Sequence, residues 1–312
     1  MKLVFMGTPE FAVPSLDMLV KNGYNVAAVI TQQDKPKGRG MDIGSPPVKE
    51  YAVKSGIKVL QPEKINDGSF ISELGEIAPD AIIIVAYGKI LPQKILDIPP
   101  MGCINVHASL LPKYRGAAPI NWAIIKGERK TGITTMMVNA GMDTGDILLQ
   151  KEVDIPDDIT AGELYDKLAV VGAEALKETL IRLENGTLTK IPQNDDEASY
   201  APIIKKDMCL IDWNMSAQDI HNLVRGTNPW PGAHTCYNGR RIKILKTKVE
   251  DSNKDTTDLN RTPGTICKKD KNGLTVVCRN DYIRILEVQF ESSRKMCIGE
   301  CWHNFDIGET FG

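Results

Sequence analysis

The stretch Lys2–Thr31, KLVFMGTPEFAVPSLDMLVKNGYNVAAVIT, sets the fold class. Lys2 to Met6 is a short apolar run with strand character, broken at Gly7-Thr8-Pro9. Thr8 stands in an N-cap position and Pro9 at the first helical position, with Glu10 in the first turn, where its charge suits the helix dipole. The helix is expected to run to about Asn22 and stop at Gly23, with Pro14 bending it. Asn25 to Thr31 (NVAAVIT) is then a second buried strand. Strand, helix and strand in this order read as a parallel pair with a crossover helix.

The alternation continues outward from this unit. Val48 to Ser55 reads as a helix, Lys58 to Leu60 as a short strand, Phe70 to Ile77 as a helix, and Ala81 to Ala86 as a continuous apolar strand. Cys103 to His107, a helix near Pro119 to Lys126, Thr134 to Val138 and a last strand Ile147 to Val153 follow. These imply an α/β fold with a parallel sheet covered on both faces. Thr160 to Glu163 fits a capping box, after which Leu164, Leu168, Val171, Ala175, Leu176, Leu180 and Leu183 keep a helical period as far as Asn185-Gly186. Composition changes at Lys190 to Lys206 (KIPQNDDEASYAPIIKK), a polar stretch with two prolines and no period, read as an interdomain linker. Beyond it, a helix starting near Ser216 precedes short strands at Arg241 to Val249, Gly264 to Cys267, Gly273 to Arg279 and Tyr282 to Val288, the pattern of a small barrel.

Composition narrows the function classes. The chain has 312 residues, 42% hydrophobic and 25% charged, ordinary for a globular protein of two domains. Its longest apolar run, Ala81 to Tyr87, is 7 residues, far below the roughly 20 needed to cross a bilayer. The start, MKLVFMGTPEF, lacks the length of a signal peptide and the Arg-rich character of a transit peptide. Seven cysteines in so long a chain argue against a disulfide framework and for a reducing, cytoplasmic setting. A net charge of −2 disfavours nucleic-acid binding on average but says nothing of local patches.

Three stretches could carry chemistry. Gly7-Thr8-Pro9-Glu10-Phe11-Ala12 sits where a dinucleotide fold carries G-x-G-x-x-G, but it has one glycine of three and Pro9 removes a donor, which disfavours NAD. In Cys103 to Pro119, CINVHASLLPKYRGAAP, strand alternation puts Asn105 and His107 on one face at the carboxyl end of the sheet, where open α/β folds bind ligands. That pair is either an amide donor beside a titratable imidazole or two strand-end residues satisfied by loop backbone. In Gly141-Met142-Asp143-Thr144-Gly145-Asp146, a carboxylate between glycines could orient an imidazole or accept a proton, but by itself the stretch reads as a plain hairpin turn. The four histidines are scattered, and Cys297, Cys301 and His303 match no common zinc spacing, so no metal is expected.

Taken together, HASLLPKYRGAAP with Asn105 two residues before the His, and GMDTGDIL with its Asp143 thirty-six residues after it, resemble the folate-dependent formyltransferases. The resemblance implies Asn105, His107 and Asp143 as the catalytic groups. It implies a folate site that includes Tyr87-Gly88 and Ser109-Leu110-Leu111-Pro112. MGTPEFAVPSL at the start, TQQDKPKGRGM at 31–41, SYAPIIKK at 199–206 and IDWNMSAQDIHNLVRGTNPWPGA at 211–233 resemble the member of that family whose acceptor is methionyl initiator tRNA. The tail, CIGECWHNF at 297–305, is less typical. The implied architecture is an N-terminal Rossmann-like formyltransferase domain with a mostly parallel sheet over 1–189, a linker over 190–206, and a C-terminal OB-like β-barrel over 207–312 that binds tRNA. The implied formyl donor is 10-formyltetrahydrofolate, with no metal and no membrane, in a monomer.

Local charge agrees with an RNA acceptor. Arg225 to Val249 contains Arg225, Arg240, Arg241, Lys243, Lys246 and Lys248 and no Asp or Glu, and of these Arg240, Arg241 and Lys243 are the expected phosphate contacts. Gln33 to Ser45 is long for a strand-to-helix loop and too poor in apolar groups to fold on itself. It is expected to be mobile and to order over the acceptor end of the RNA, with Lys35, Lys37 and above all Arg39 in contact. Two alternatives stay open: a related formyltransferase acting on an amino sugar or glycinamide ribonucleotide, and a non-catalytic folate- or RNA-binding protein.

Overall fold

The computed structural model describes residues 1–37, 42–250, 262–279 and 281–312. They divide into two compact units. The first is Met1–Pro119, Lys130–Asp154 and Tyr165–Pro202, and the second is Ile120–Arg129, Ile155–Leu164 and Ile203–Gly312. The division is therefore not one cut in the chain.

The first unit is built on a seven-stranded sheet in the order Ile147–Asp154, Lys130–Met137, Cys103–His107, Ala81–Val85, Lys2–Gly7, Asn25–Ile30, Val59–Leu60. Cys103–His107 and the four strands beyond it run parallel, while Lys130–Met137 lies antiparallel to Cys103–His107 and to Ile147–Asp154. The sheet is thus mostly parallel. Lys2–Gly7 and Ala81–Val85 are almost wholly buried because helices cover both faces. Val4, Met6, Ile82, Ile84, Phe70 and Leu74 form the core of one face, each large side chain stabilising by roughly 2 kcal/mol.

The first helix departs from expectation at its start. A 3-10 turn, Glu10–Ala12, precedes the α-helix Val13–Lys21, and Pro14 lies in the helix's first turn instead of bending it. Thr8 caps nothing. Its hydroxyl faces the carbonyl of Tyr87 at 3.4 Å and accepts from the Gln32 amide at 3.3 Å, so it ties the carboxyl ends of three strands together. Gly7 is required by packing, since a Cβ there would lie 2.9 Å from Ala12, Phe5 and the Val85 carbonyl. Gln33 to Ser45, expected to be mobile and too poor in apolar groups to fold on itself, contributes the antiparallel pair Lys35–Lys37 and Asp42–Gly44. A backbone ladder needs no apolar core, which is why composition did not reveal it. Arg39 lies outside the described residues.

The polar stretch read as a linker belongs largely to the first unit. Tyr200–Ala201 pairs in parallel with Arg115–Gly116, and the Ala201 carbonyl accepts from the amides of Ala117 and Ala118 at 2.9 and 3.1 Å. The capping box forms as expected, with Glu163 accepting from the Thr160 amide and hydroxyl, each at 2.8 Å.

The second unit carries an OB-like antiparallel sheet in the order His234–Tyr237, Arg240–Glu250, Tyr282–Phe290, Gly273–Val277, Ile266–Asp270, with Lys295–Cys297 added to Tyr282–Phe290. The helix Ala217–Gly226 is capped by Ser216, whose hydroxyl accepts from the Asp219 amide at 3.1 Å. It packs apolar residues into a core with Ile242, Ile244, Ile283, Ile285, Trp213 and Phe311. All seven cysteines are free thiols, and no cluster of three metal-ligating side chains occurs among the described residues. No helix of the described residues is long and apolar enough to cross a membrane.

Candidate active site

Cys103–His107 delivers its last residues to the carboxyl edge of the parallel strands. Asn105 pairs with Ile84 on one side and Met136 on the other, and His107 pairs with Thr134. Asn105 is half-buried, and its amide has no hydrogen-bond partner among the described residues. His107 is 6% exposed. Its Nε2 lies 3.0 Å from the carbonyl of Tyr114. A carbonyl only accepts, so Nε2 carries the hydrogen and Nδ1 is the nitrogen left for chemistry. The Tyr114 carbonyl is aimed there by a left-handed backbone, φ +60°.

Nδ1 faces Asp143 Oδ2 at 3.7 Å. Asp143 itself sits at φ +54°, and its Oδ2 accepts from the Gly116 amide at 2.8 Å. The turn around it is built for close approach. A Cβ on Gly145 would fall 1.8 Å from the Met137 carbonyl, and one on Gly141 would fall 2.2 Å from the Thr144 hydroxyl. Asn139 closes the turn by accepting from the Gly141 amide at 3.1 Å and the Thr144 hydroxyl at 2.8 Å. The result is a buried imidazole with one nitrogen fixed and the other beside a carboxylate, next to a half-buried amide. It can move a proton and donate hydrogen bonds to an oxygen that gains charge.

The segment Ser109–Pro112 continues directly from His107. Ser109 donates to the Lys113 carbonyl at 2.6 Å and its own carbonyl accepts from Thr134 Oγ1 at 2.7 Å, while the Leu111 amide donates to the same hydroxyl at 3.1 Å. Leu111 is buried, and Leu110 and Pro112 are half-buried. At the end of the neighbouring strand, Ala86 and Gly88 adopt φ +49° and +76°. The Tyr87 ring is buried in the core cluster between them, and its hydroxyl has no partner among the described residues. Burial pushes that phenol up to about 12, so at neutral pH it stays protonated.

The basic residues divide. Arg240 and Arg241 are exposed, and Lys243 is half-buried with its ammonium donating to the Pro231 carbonyl at 2.9 Å. Arg225 does not belong with them. It is 6% exposed and donates to Asn222 at 2.9 and 3.0 Å and to the Pro156 carbonyl at 3.3 Å, so the patch of six read from sequence becomes five. Lys35 is exposed and donates to Gln32 at 2.9 Å; Lys37 lies on the short ladder.

Sequence reasoning passed over Tyr114, Arg115 and Gln193. Arg115 is 2% exposed and Gln193 joins it to the Asp143 turn. Arg115 lay inside a quoted motif and Gln193 inside the polar stretch read as a linker, and no local pattern marks either.

A family model described as "Formyl transferase" matches residues 1–180, and one described as "Formyl transferase, C-terminal domain" matches 203–306. The chain belongs to the formyl transferase family. At full length it is similar to proteins named methionyl-tRNA formyltransferase. One, from Acetivibrio thermocellus, is 58% identical over 100% of both chains, and one from Ruminiclostridium cellulolyticum is 55% identical over 100% of both. Among solved structures, the sugar 3N-formyltransferase WlaRD, studied with dTDP and 5-N-formyl-THF, superposes with a TM-score of 0.67 at 21% identity, covering 94% of this chain and 99% of its own.

Proposed function

We propose that the chain transfers the formyl group of 10-formyltetrahydrofolate to the α-amino group of methionyl initiator tRNA, giving N-formylmethionyl-tRNA. The observation that supports this acceptor best is the full-length identity to proteins of that name, 58% and 55% over 100% of both chains. Folate as the donor is also consistent with the formyl-THF named for the structural neighbour.

Residues 1–189 would hold the folate and the catalytic groups, with Tyr200–Ala201 paired into the same unit, and 207–312 would bind tRNA. Folate would lie along Tyr87-Gly88 and Ser109–Pro112, two turns at adjacent strand ends, and it supplies an activated formyl carbon. The polar groups of Ser109 and the Leu111 amide are already spent within the protein, so this wall offers chiefly the Leu110 side chain and backbone. Asn105 donates its amide to the formyl oxygen as the methionyl amine attacks. An oxyanion donor of this kind contributes a few kcal/mol. His107 Nδ1 takes part in the proton movement from the attacking nitrogen to the folate N10, which leaves as tetrahydrofolate when its bond to the formyl carbon breaks. When protonated it donates to the same oxygen, steadied by Asp143. Asp143 holds that ring and accepts a proton, directly or through water. Lys35, Lys37 and Arg39 would close on the acceptor end, and Arg240, Arg241 and Lys243 would meet phosphates. With seven free thiols and a role in translation, the cytoplasm is the fitting location.

The test is a single-turnover formyl-transfer assay with 10-formyltetrahydrofolate and three acceptors: methionyl initiator tRNA, an amino-sugar nucleotide and glycinamide ribonucleotide. Rapid transfer to the tRNA alone is expected. Preference for either small acceptor, or binding without turnover, would overturn the reading.

A further inference from the structure

The turn that carries Asp143 is not self-supporting. Its left-handed backbone, φ +54° at Asp143, is strained for a non-glycine residue, and its own ring of hydrogen bonds stops at Asn139. Beside the Gly116 amide on its carboxylate, a further hold comes from fifty residues along the chain. Gln193 Nε2 donates to the Asp143 carbonyl at 2.8 Å and to the Gly145 carbonyl at 2.7 Å, a fork across the turn. Its Oε1 is fixed in the opposite direction, accepting from Arg115 Nε at 3.1 Å and Nη2 at 2.8 Å. That accepting role settles which end of the amide carries the hydrogens. Arg115 also donates from Nη2 to Asp195 Oδ1 at 2.7 Å, so a buried cation is satisfied by the same segment.

Arg115 has a second connection to the site. It lies between Tyr114, whose carbonyl holds His107 Nε2, and Gly116, whose amide holds Asp143 Oδ2. The backbone of these residues is pinned by the same downstream segment: the Tyr114 amide donates to Ser199 Oγ at 2.9 Å and the Arg115 amide to the Ser199 carbonyl at 2.8 Å.

We infer that Gln193 is a positioning residue, whose amide fork and anchor on Arg115 set the distance between the Asp143 carboxylate and His107 Nδ1. It touches neither reacting group through a side chain and acts through the turn backbone. The stretch 193–201 is then part of the catalytic apparatus and not merely a connection between regions. This inference rests on the proposed roles of His107 and Asp143.

Two variants separate positioning from simple structural filling. Gln193→Glu keeps an acceptor for Arg115 and loses both donors to the turn. Gln193→Met keeps the length and loses every hydrogen bond. Single-turnover rates, KM for each substrate, the pH dependence of kcat and thermal melting are measured on the full chain. Both variants are expected to lose about 10- to 100-fold in kcat, the scale of a small displacement of a catalytic group. Both KM values should change little, and the inflection of kcat against pH should shift, because the carboxylate meets the imidazole at a new distance. If Gln193→Met melts before assay, the Glu variant, which retains the Arg115 pair, carries the test. A Glu variant with normal kcat and an unshifted profile would overturn the inference, as would a loss confined to KM. Wild-type protein inactive on methionyl tRNA would instead sink the functional reading, so the two failures are distinguishable.

Discussion

Two short turns in this molecule look alike in sequence and behave differently. In Gly141–Asp146, Asp143 adopts φ +54° close to a glycine, and in the hairpin between His234–Tyr237 and Arg240–Glu250, Asn238 adopts φ +49° beside Gly239 at φ +71°. The Asn-Gly turn is local: its residues suit the two left-handed positions a tight hairpin requires, and a Cβ on Gly239 would meet nothing within 4 Å. The Asp143 turn is held from Gly116 and Gln193, and Gly145 lies against the Met137 carbonyl. An acidic or amide residue near glycine is thus a statement about backbone freedom. Whether the turn is a site depends on what the rest of the chain ties to it.

The strongest way to test that contrast is to remove the groups the first turn serves. Asn105→Ala, His107→Ala and Asp143→Ala are each expected to lose at least about 100-fold in the chemical step while the protein still folds, the scale for a lost oxyanion donor or general base. Single-turnover rates and a thermal melt check this. A fully active Asp143→Ala would make the first turn as ordinary as the second.

The glycines sharpen the comparison. Gly145→Ala drives a Cβ into the Met137 carbonyl and should destabilise by about 3 kcal/mol, with activity falling as Asp143 moves. Gly239→Ala, with only its left-handed backbone to offend, should cost about 1 kcal/mol and leave kcat intact. Equal losses in urea unfolding would contradict the distinction between a tertiary and a local turn.

A smaller and different effect is expected on the strand that the second turn begins. Neutralising Arg240, Arg241 and Lys243 together should weaken tRNA binding, flatten its salt dependence by up to three phosphate contacts' worth of slope, and spare folate affinity. Unchanged salt slopes would move the RNA path elsewhere.

The smallest expected effect concerns pH. His221 packs behind the same strand, with Nδ1 3.0 Å from Thr247 Oγ1 and Nε2 3.1 Å from the Asp157 carbonyl. Burial holds its pKa below the ordinary 6.5, opposed by the Asp157 carbonyl and the nearby acidic side chains. A folded state that disfavours the cation keeps its full stability above 6.5 and loses it as pH falls through the folded value. Melting of the wild type should therefore drop by a few degrees on going from neutral to mildly acidic buffer. His221→Gln should start lower and show a flatter slope over that window; parallel slopes would assign the acid sensitivity to other groups.

Local sequence was most informative where a structural rule acts over a few residues. The strand Cys103–His107 came out with its expected ends, because apolar residues and a period of two define it without help from elsewhere. The Thr160 and Ser216 caps are likewise matters of neighbouring residues. The same local logic failed at Thr8, where a cap-like residue is recruited by Tyr87 and Gln32, and at Arg225, where a cation in a basic run turns inward to Asn222 and the Pro156 carbonyl. The short ladder Lys35–Lys37 with Asp42–Gly44 went unseen because backbone hydrogen bonding leaves no apolar signature.

Sequence by itself determined the α/β alternation and the motif residues Asn105, His107 and Asp143, since periodicity, capping and motif identity are written in consecutive residues. Only the tertiary structure decided that Lys130–Met137 runs against its neighbour, that His107 gives its Nε2 hydrogen to Tyr114, and that Gln193 reaches back to Asp143. Those outcomes depend on pairs of groups 7 to 50 residues apart, each brought together by burying the apolar sheet between them. A hydrogen bond worth about 1 kcal/mol cannot gather such distant residues on its own; it selects among arrangements that hydrophobic burial has already made compact.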